Sequence, residues 1–175
     1  MEAPTRTSES RTLAETNGEE TTRIRLAIKT PSGPLSLNET AVRAFFQRYS
    51  HHLQAALDDV IDGATIAKGF WADQFVNSSP DTLVTGSDPQ HLASSIDEVL
   101  SGYKQQGMRR IHVRDIDVNQ LDDCHAVASV GWSLFRDTND SGHAGVDFDA
   151  SYFVKQAKGT DMRIFGWVEG RPKTI

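Results

Sequence analysis

The hydrophobic positions along this chain repeat with one spacing in its first half and with another in its second. Up to about residue 107, large apolar side chains recur every three or four positions, which is typical of helices with one buried face. After about residue 108 they alternate with small or polar side chains, as in AVASVGW at 126–132. A period of two predicts β-strands. Helices followed by consecutive strands predict an α+β domain in which helices cover one face of a curved antiparallel sheet.

Two helices are predicted early in the pattern. The first spans residues 37–60 and begins at a capping box, in which Ser36 and Glu39 satisfy each other's backbone amides. Asp62 and Gly63, which follow it, are expected to end this helix. A short second helix is predicted over about 64–72. Both helices carry aromatic residues on their apolar faces.

The remaining elements are a third helix and a series of strands. The third helix is predicted to begin at Asp88, as its N-cap, with Pro89 in the first helical position, and to end at Gly107. A short strand precedes it and four longer ones follow it, at 74–77, 109–120, 124–136, 145–156 and 162–168. Such lengths, joined by short turns, favour a meander of long, bent strands.

The first 35 residues differ in composition from the rest. They are rich in Thr, Glu, Ser and Arg, and such a segment buries too little apolar surface to offset the entropy of ordering it. We therefore predict a disordered tail or arm over residues 1–35, within which the alternating stretch 23–30 is a candidate edge strand. Residues 36–175 are then expected to form a single domain.

Composition argues against several classes of function. The formal net charge is −6, whereas a nucleic-acid-binding domain usually presents a basic face. No apolar run approaches the roughly 18 residues that a transmembrane helix needs, and the N-terminal residues contain no apolar signal segment. A single cysteine, Cys124, fits a reducing compartment. The chain is therefore expected to be cytoplasmic, with no nucleic-acid or membrane partner.

From Val42 onward the chain resembles the SnoaL-like branch of the nuclear-transport-factor-2-like superfamily. The segments that carry the resemblance are FQRY at 46–49, GFWADQFV at 69–76, SP at 79–80, HAVA at 125–128, SYFV at 151–154 and RIFGW at 163–167. The resemblance implies a cone-shaped barrel, made of a strongly bent antiparallel sheet with N-terminal helices packed on its concave face. It also implies a pocket inside the cone and a homodimer formed through the outer sheet face. Because the superfamily holds both enzymes and non-enzymatic domains, the fold does not decide the function.

Three polar residues are candidates for catalysis. Tyr49 matches the first-helix hydroxyl donor of the isomerases in that superfamily. Those enzymes place a carboxylate just before a proline, but Ser79 occupies that position here, and a hydroxyl does not take a carbon-bound proton at neutral pH without another base to activate it. Asp149 is the best carboxylate candidate in the chain. His112 is an imidazole candidate, since histidine titrates near neutrality.

The role of Asp149 depends on strand register. Asp147 and Asp149 alternate with Phe148 and Tyr152 along one predicted strand. If the apolar set faces the pocket, which we favour, the aspartates lie on the outer face. A slip of one residue reverses this and makes Asp149 a buried acid or base, with a pKa raised by desolvation.

A second pair of carboxylates, Asp115 and Asp117, follows Arg114 on the first long strand. An Asp–Arg–Asp set made of Arg114, Asp115 and Asp117 would suit the activation of a water molecule. Alternation along a regular strand, however, points Arg114 to the face opposite the aspartates. We therefore predict a solvated strand face there. No spacing typical of a zinc site occurs in the sequence, so no metal and no cofactor is predicted.

Aromatic residues dominate the candidates for ligand binding. The predicted set is Trp71, Phe75, Tyr103, Trp132, Tyr152, Phe165 and Trp167. An aromatic hollow suits a small apolar or aromatic molecule, whereas a filled core would use the same residues. The leading hypothesis is a pocket for such a molecule, with cofactor-free proton transfer or hydration as its chemistry if the protein is an enzyme. The alternative is a non-catalytic ligand-binding domain or a dimeric assembly domain.

Overall fold

The computed structural model describes residues 37–136 and 145–170 of the chain. The predicted tail at 1–35, its candidate edge strand at 23–30, and Ser36 of the predicted capping box lie outside the described residues. So does the loop at 137–144.

The described residues form three helices and one sheet. The helices are α1 at Glu39–Leu57, α2 at Gly63–Phe70 and α3 at Pro89–Gln105. The N-caps Asp62 and Asp88 accept hydrogen bonds from backbone amides of the first turns of α2 and α3. Pro89 begins α3, and Gly107, with a φ of +80°, follows its end as predicted. None of these helices is long and apolar enough to span a membrane.

The first helix is shorter than predicted at both ends. Its N-cap is Asn38, whose side chain accepts from the Ala41 amide, so α1 begins at Glu39 rather than at residue 37. The helix stops at Leu57 because Asp59 adopts a left-handed backbone conformation with a φ of +60°. Gly63, which was expected to end the first helix, is the first residue of α2.

The strands form one six-stranded sheet with the order β2-β1-β6-β5-β4-β3. Their bounds are β1 Trp71–Ser78, β2 Leu83–Gly86, β3 Met108–Gln120, β4 His125–Arg136, β5 Gly145–Lys155 and β6 Arg163–Glu169. The predicted α+β fold is confirmed. Two details differ: β1 pairs with β6 in parallel, so the sheet is mixed, and the short strand β2 was not predicted.

The core lies between the helices and one face of the sheet. On α1, Phe46 is fully buried and its ring centroid lies 5.0 Å from that of Tyr152 on β5. In the first half of β4, Ala126, Ala128 and Val130 are buried, whereas Val127 and Ser129 between them are not. This alternation shows which face of β4 is covered by the helices, and it fixes the inward direction for the neighbouring strands.

A β-bulge in β3 changes the direction of one charged side chain. Val113 pairs with Trp132 and Asp115 pairs with Gly131, so Arg114 is an extra residue with no partner on β4. A bulge makes two consecutive side chains point to the same side of a sheet. The expectation that Arg114 and Asp115 lie on opposite faces was therefore wrong: Arg114 Nε donates to Asp115 Oδ2 at 2.7 Å.

Candidate functional site

A cavity of about 370 Å³ lies between α3, the middle of α1 and the inner face of the sheet. This volume falls at the lower end of the range for small-molecule sites. A wider groove of about 780 Å³ lies between the α1–α2 connection and α3. It is open and lined largely by polar side chains, among them Asp59, Asp62 and Lys104. The less open and more apolar cavity is therefore the better candidate for a binding site.

Helix α3 supplies one wall of the cavity. Leu92, Ile96, Leu100 and Tyr103 lie on one face of the helix, because they are spaced four, four and three residues apart. From α1, Tyr49 and Leu53 contribute in the same way, at a four-residue spacing.

The sheet supplies the opposite wall through cross-strand pairs. Trp132 of β4 pairs with Phe148 of β5, and their rings stack with centroids 6.5 Å apart. Tyr152 of β5 pairs with Trp167 of β6. All four side chains line the cavity. Residues paired across strands point to the same face, so the register brings these rings together on the inside.

Strand β1 closes one end of the cavity. Trp71 was expected at the end of the second helix, but it begins β1, and its extended backbone turns the indole toward the interior. Its ring centroid lies 5.9 Å from that of Phe75, and both residues line the cavity together with Asn77. Both aromatic residues are buried.

Three tyrosine hydroxyls lie in the cavity wall. Burial raises the pKa of Tyr49 to about 12, and the nearby Trp71 side chain opposes part of this increase. Burial also raises the pKa of Tyr103, where the charge of Glu169 adds to the effect. Tyr152 is affected most strongly, because its burial raises its pKa well above the ordinary value. All three hydroxyls therefore stay protonated and able to donate through the neutral pH range.

Several buried polar atoms of the wall have no hydrogen-bond partner among the described residues. They are the indole nitrogens of Trp71, Trp132 and Trp167, and the side-chain oxygen of Asn77. The indoles of Trp71 and Trp132 lie near the Tyr49 and Tyr152 hydroxyls and influence their pKa values, yet neither forms a hydrogen bond of acceptable geometry. Unsatisfied buried polar groups are uncommon in proteins and often mark functional positions.

The carboxylate and the imidazole of the lining are solvent-exposed. Glu169, at the end of β6, and His91, in the first turn of α3, both line the cavity and both are solvent-exposed. Neither was singled out from the sequence. Alternation along β6 could have identified Glu169, because it is two residues after Trp167 and therefore on the same face. His91 could have been found from α3, because His91, Ser95 and Val99 form a row at four-residue spacing and all line the cavity.

The candidate residues from the sequence separate into two groups. Tyr49, Tyr103 and Tyr152 line the cavity, as do Trp71, Phe75, Trp132 and Trp167. The structure does not bring Asp149, His112 or Phe165 to it. Phe165 lies on the outer face, with its ring centroid 6.0 Å from that of Phe153. His112 stacks on Phe135 of β4, with ring centroids 5.0 Å apart.

Asp149 belongs to an ion-pair network on the outer face of the sheet. The Arg114 guanidinium contacts Asp115, Asp147 and Asp149 at distances of 2.7 to 2.9 Å. It lies across Gly131, where an added Cβ would be 2.6 Å from Arg114 Nη2. Phe148 and Tyr152 correspondingly face the cavity. This network gives Asp149 a structural partner on the side of the sheet away from the cavity.

The matching family model covers residues 38–172 and is described as NTF2-like protein (DUF6841). The chain therefore belongs to this NTF2-like family. The superfamily expected from the sequence is thus confirmed, at the level of the NTF2-like fold. No curated protein matches the chain by sequence.

Solved structures with the same fold are similar to the chain at low sequence identity. Aln2 from a Streptomyces species is 18% identical, with a TM-score of 0.58 over 82% of this chain and 94% of that chain. A cystatin-like domain of unknown function from Nostoc punctiforme is 19% identical, with a TM-score of 0.56 over 78% of each chain. An NTF2-like protein from Novosphingobium aromaticivorans is 13% identical, with a TM-score of 0.54 over 74% of this chain and 78% of that one. These similarities show the fold alone.

Proposed function

We propose that the protein binds a small, largely apolar or aromatic molecule in the cavity enclosed by α1, α3 and the inner face of the sheet. The observation that carries this proposal is the cavity itself: about 370 Å³ bordered mainly by aromatic and aliphatic side chains. The alternative of a solid core would leave no such space. A binding site made of apolar walls with a few polar groups is the usual form of a small-molecule pocket.

The polar groups of the wall favour a ligand with a hydrogen-bonding oxygen. Protonated hydroxyls of Tyr49 and Tyr152 and the indole N–H groups of Trp71 and Trp132 are donors, and two of these groups are unsatisfied. A carbonyl or hydroxyl oxygen on an apolar frame would accept from such donors. A pure hydrocarbon would leave them without a partner, at a cost in binding free energy.

The site supports binding more strongly than catalysis. Proton transfer needs an acid or base that is held against the reacting atom. Among the described lining residues, the groups able to serve as a base near neutrality are Glu169 and His91, and both are at the exposed rim. Tyr49 lies deeper, but its raised pKa makes it a donor rather than a base.

A pair of serines on α3 provides a matched test. Ser95 lines the cavity and is half-buried, whereas its neighbour Ser94 is exposed and outside it. We expect Ser95→Phe to place a ring in the cavity and to weaken binding of para-tert-butylbenzyl alcohol by roughly tenfold or more, through overlap with the ligand. Ser94→Phe should leave the dissociation constant unchanged within about twofold.

Isothermal titration calorimetry of the full chain and both variants measures this effect. The three tryptophans of the sequence all line the cavity, so their fluorescence gives an independent signal from the site. Circular dichroism confirms that Ser95→Phe is folded. Absence of binding by the unmodified protein, or equal affinity of the two variants, would contradict the proposal.

A further inference from the structure

One carboxylate and no lysine or arginine stand among the described residues that line the cavity. That carboxylate belongs to Glu169. The other ionisable lining groups are the imidazole of His91 and three tyrosine hydroxyls, and the raised pKa values of the tyrosines keep those hydroxyls uncharged at neutral pH. A ligand that enters the cavity therefore meets a negative charge at its rim and no permanent positive charge in its described wall.

The strand register directs Glu169 toward the cavity. Glu169 pairs with Ala150, and two positions earlier Trp167 pairs with Tyr152. These four residues share the inner face of the sheet, where Ala150 and Tyr152 are buried. Glu169 forms no ion pair or side-chain hydrogen bond with another described residue, unlike the aspartates on the outer face, which are held by Arg114.

The field of this carboxylate extends into the cavity. It contributes to the raised pKa values of both Tyr103 and Tyr152, so it lies near their hydroxyls. The same region is bordered by the rings of Trp132, Phe148 and Trp167. Aromatic faces attract cations through their quadrupoles, most strongly where water is excluded. An ammonium group near Glu169 would gain from both the carboxylate and the rings.

We propose that the cavity selects ligands carrying a protonated amine on an apolar frame, with the amine at Glu169, over carboxylic acids of the same shape. This inference rests on the proposed function, since it assigns a ligand class to the same cavity. A carboxylate ligand would place a like charge beside Glu169 and lose its hydration without a cationic partner. A neutral alcohol of the same shape would bind with intermediate affinity.

Three probes of the same shape separate these effects. The full chain is titrated by calorimetry with para-tert-butylbenzylamine, para-tert-butylbenzyl alcohol and para-tert-butylbenzoate, at about pH 7.5, where the amine and the acid are both ionised. We expect the amine to bind roughly tenfold or more tighter than the benzoate, since attraction to one charge and repulsion from the other act together. Added salt should weaken the binding of the amine and leave that of the alcohol unchanged.

The substitution Glu169→Gln removes the charge and keeps the shape. It should weaken amine binding by roughly threefold to tenfold, strengthen benzoate binding, and leave alcohol binding unchanged. The matched control is Glu98→Gln on α3, an exposed glutamate that does not line the cavity, which should change none of the three affinities.

The possible failures of this inference and of the proposed function are distinguishable. Alcohol binding that Ser95→Phe weakens, combined with benzoate binding at least as tight as amine binding, would overturn the charge preference and leave the cavity proposal intact. An amine preference that persists in Glu169→Gln would also overturn it. If none of the three probes binds, both proposals are wrong.

Discussion

At the scale of single residues, the three tyrosines of the chain share one environment. All three line the cavity, and burial raises the pKa of each above the ordinary value of 10.0. In the unfolded chain they ionise near that ordinary value. Their burial therefore couples the stability of the protein to pH in the alkaline range.

This coupling has a definite sign. Below pH 10 each tyrosine is protonated in both the folded and unfolded states, so its contribution is constant. Above pH 10 the unfolded chain loses these protons first, so the free energy of unfolding falls as pH rises toward the folded-state pKa of Tyr49, about 12. The slope is about 1.4 kcal/mol per pH unit for each such tyrosine.

We expect Tyr49→Phe to reduce this alkaline loss. Urea unfolding at about pH 9 and about pH 11 gives the loss for the unmodified protein and for the variant, which should differ by about 1 kcal/mol. Comparing the two proteins cancels the contribution of lysines. Equal losses in both would show that Tyr49 is not buried as described, and so would phenolate absorbance that appears near pH 10 in the folded unmodified protein and is lost in Tyr49→Phe.

The sequence identified most aromatic residues of the site but not its carboxylate, Glu169. The resemblance to the NTF2-like cone placed Trp132, Tyr152 and Trp167 on the inner face of the sheet. Glu169 was missed because the last strand was predicted to end at residue 168, one position before it. In the structure β6 extends to Glu169, which pairs with Ala150 on the inner face of the sheet.

At the scale of secondary-structure elements, a glycine at the contact between α2 and α3 allows these two helices to pack closely. Gly63 begins α2, and its amide donates to Asp97 Oδ1 of α3 at 2.7 Å. A Cβ at this position would be 2.3 Å from the Ala93 carbonyl oxygen, which belongs to the helix backbone and cannot move alone. The absence of a side chain at residue 63 is therefore required for this packing.

Two alanine substitutions within α2 test this contact. Gly63→Ala should lower the free energy of unfolding by about 1–3 kcal/mol, because the two helices must separate. In contrast, Gly69 has open space around its Cβ position, so Gly69→Ala should leave stability unchanged or raise it by up to about 1 kcal/mol through helix propensity. Urea unfolding followed by circular dichroism measures both, and similar effects at the two sites would refute the packing described.

Elements were predicted well where local capping residues define their ends, and less well where pairing between strands determines their structure. Asp88 and Pro89 mark the start of α3 through local capping chemistry. The bulge at Arg114 has no comparable signal, because it depends on how β3 pairs with β4. Strand β2 was missed since its few residues are stabilised by pairing with β1, and Leu83 and Val84 remain exposed.

At the scale of the whole molecule, order along the chain predicted the architecture. Helices before strands gave the α+β class, and the resemblance gave the NTF2-like fold that the family match now shows. The parallel pairing of β1 with β6 could not be derived from patterns, because it joins segments that are far apart in the sequence. Dimerisation through the outer face of the sheet stays a prediction.

The cavity joins these scales, because helix spacing, strand register and aromatic side chains all contribute to it. The central claim about this cavity is that an apolar molecule fits in it among Tyr103, Trp132 and Trp167. The most direct measurement is a crystal structure of the chain with para-bromobenzyl alcohol, in which anomalous scattering locates the bromine. We predict a bromine peak enclosed by these three side chains. Bromine found only on the outer surface, or side chains that fill the cavity completely, would contradict the claim.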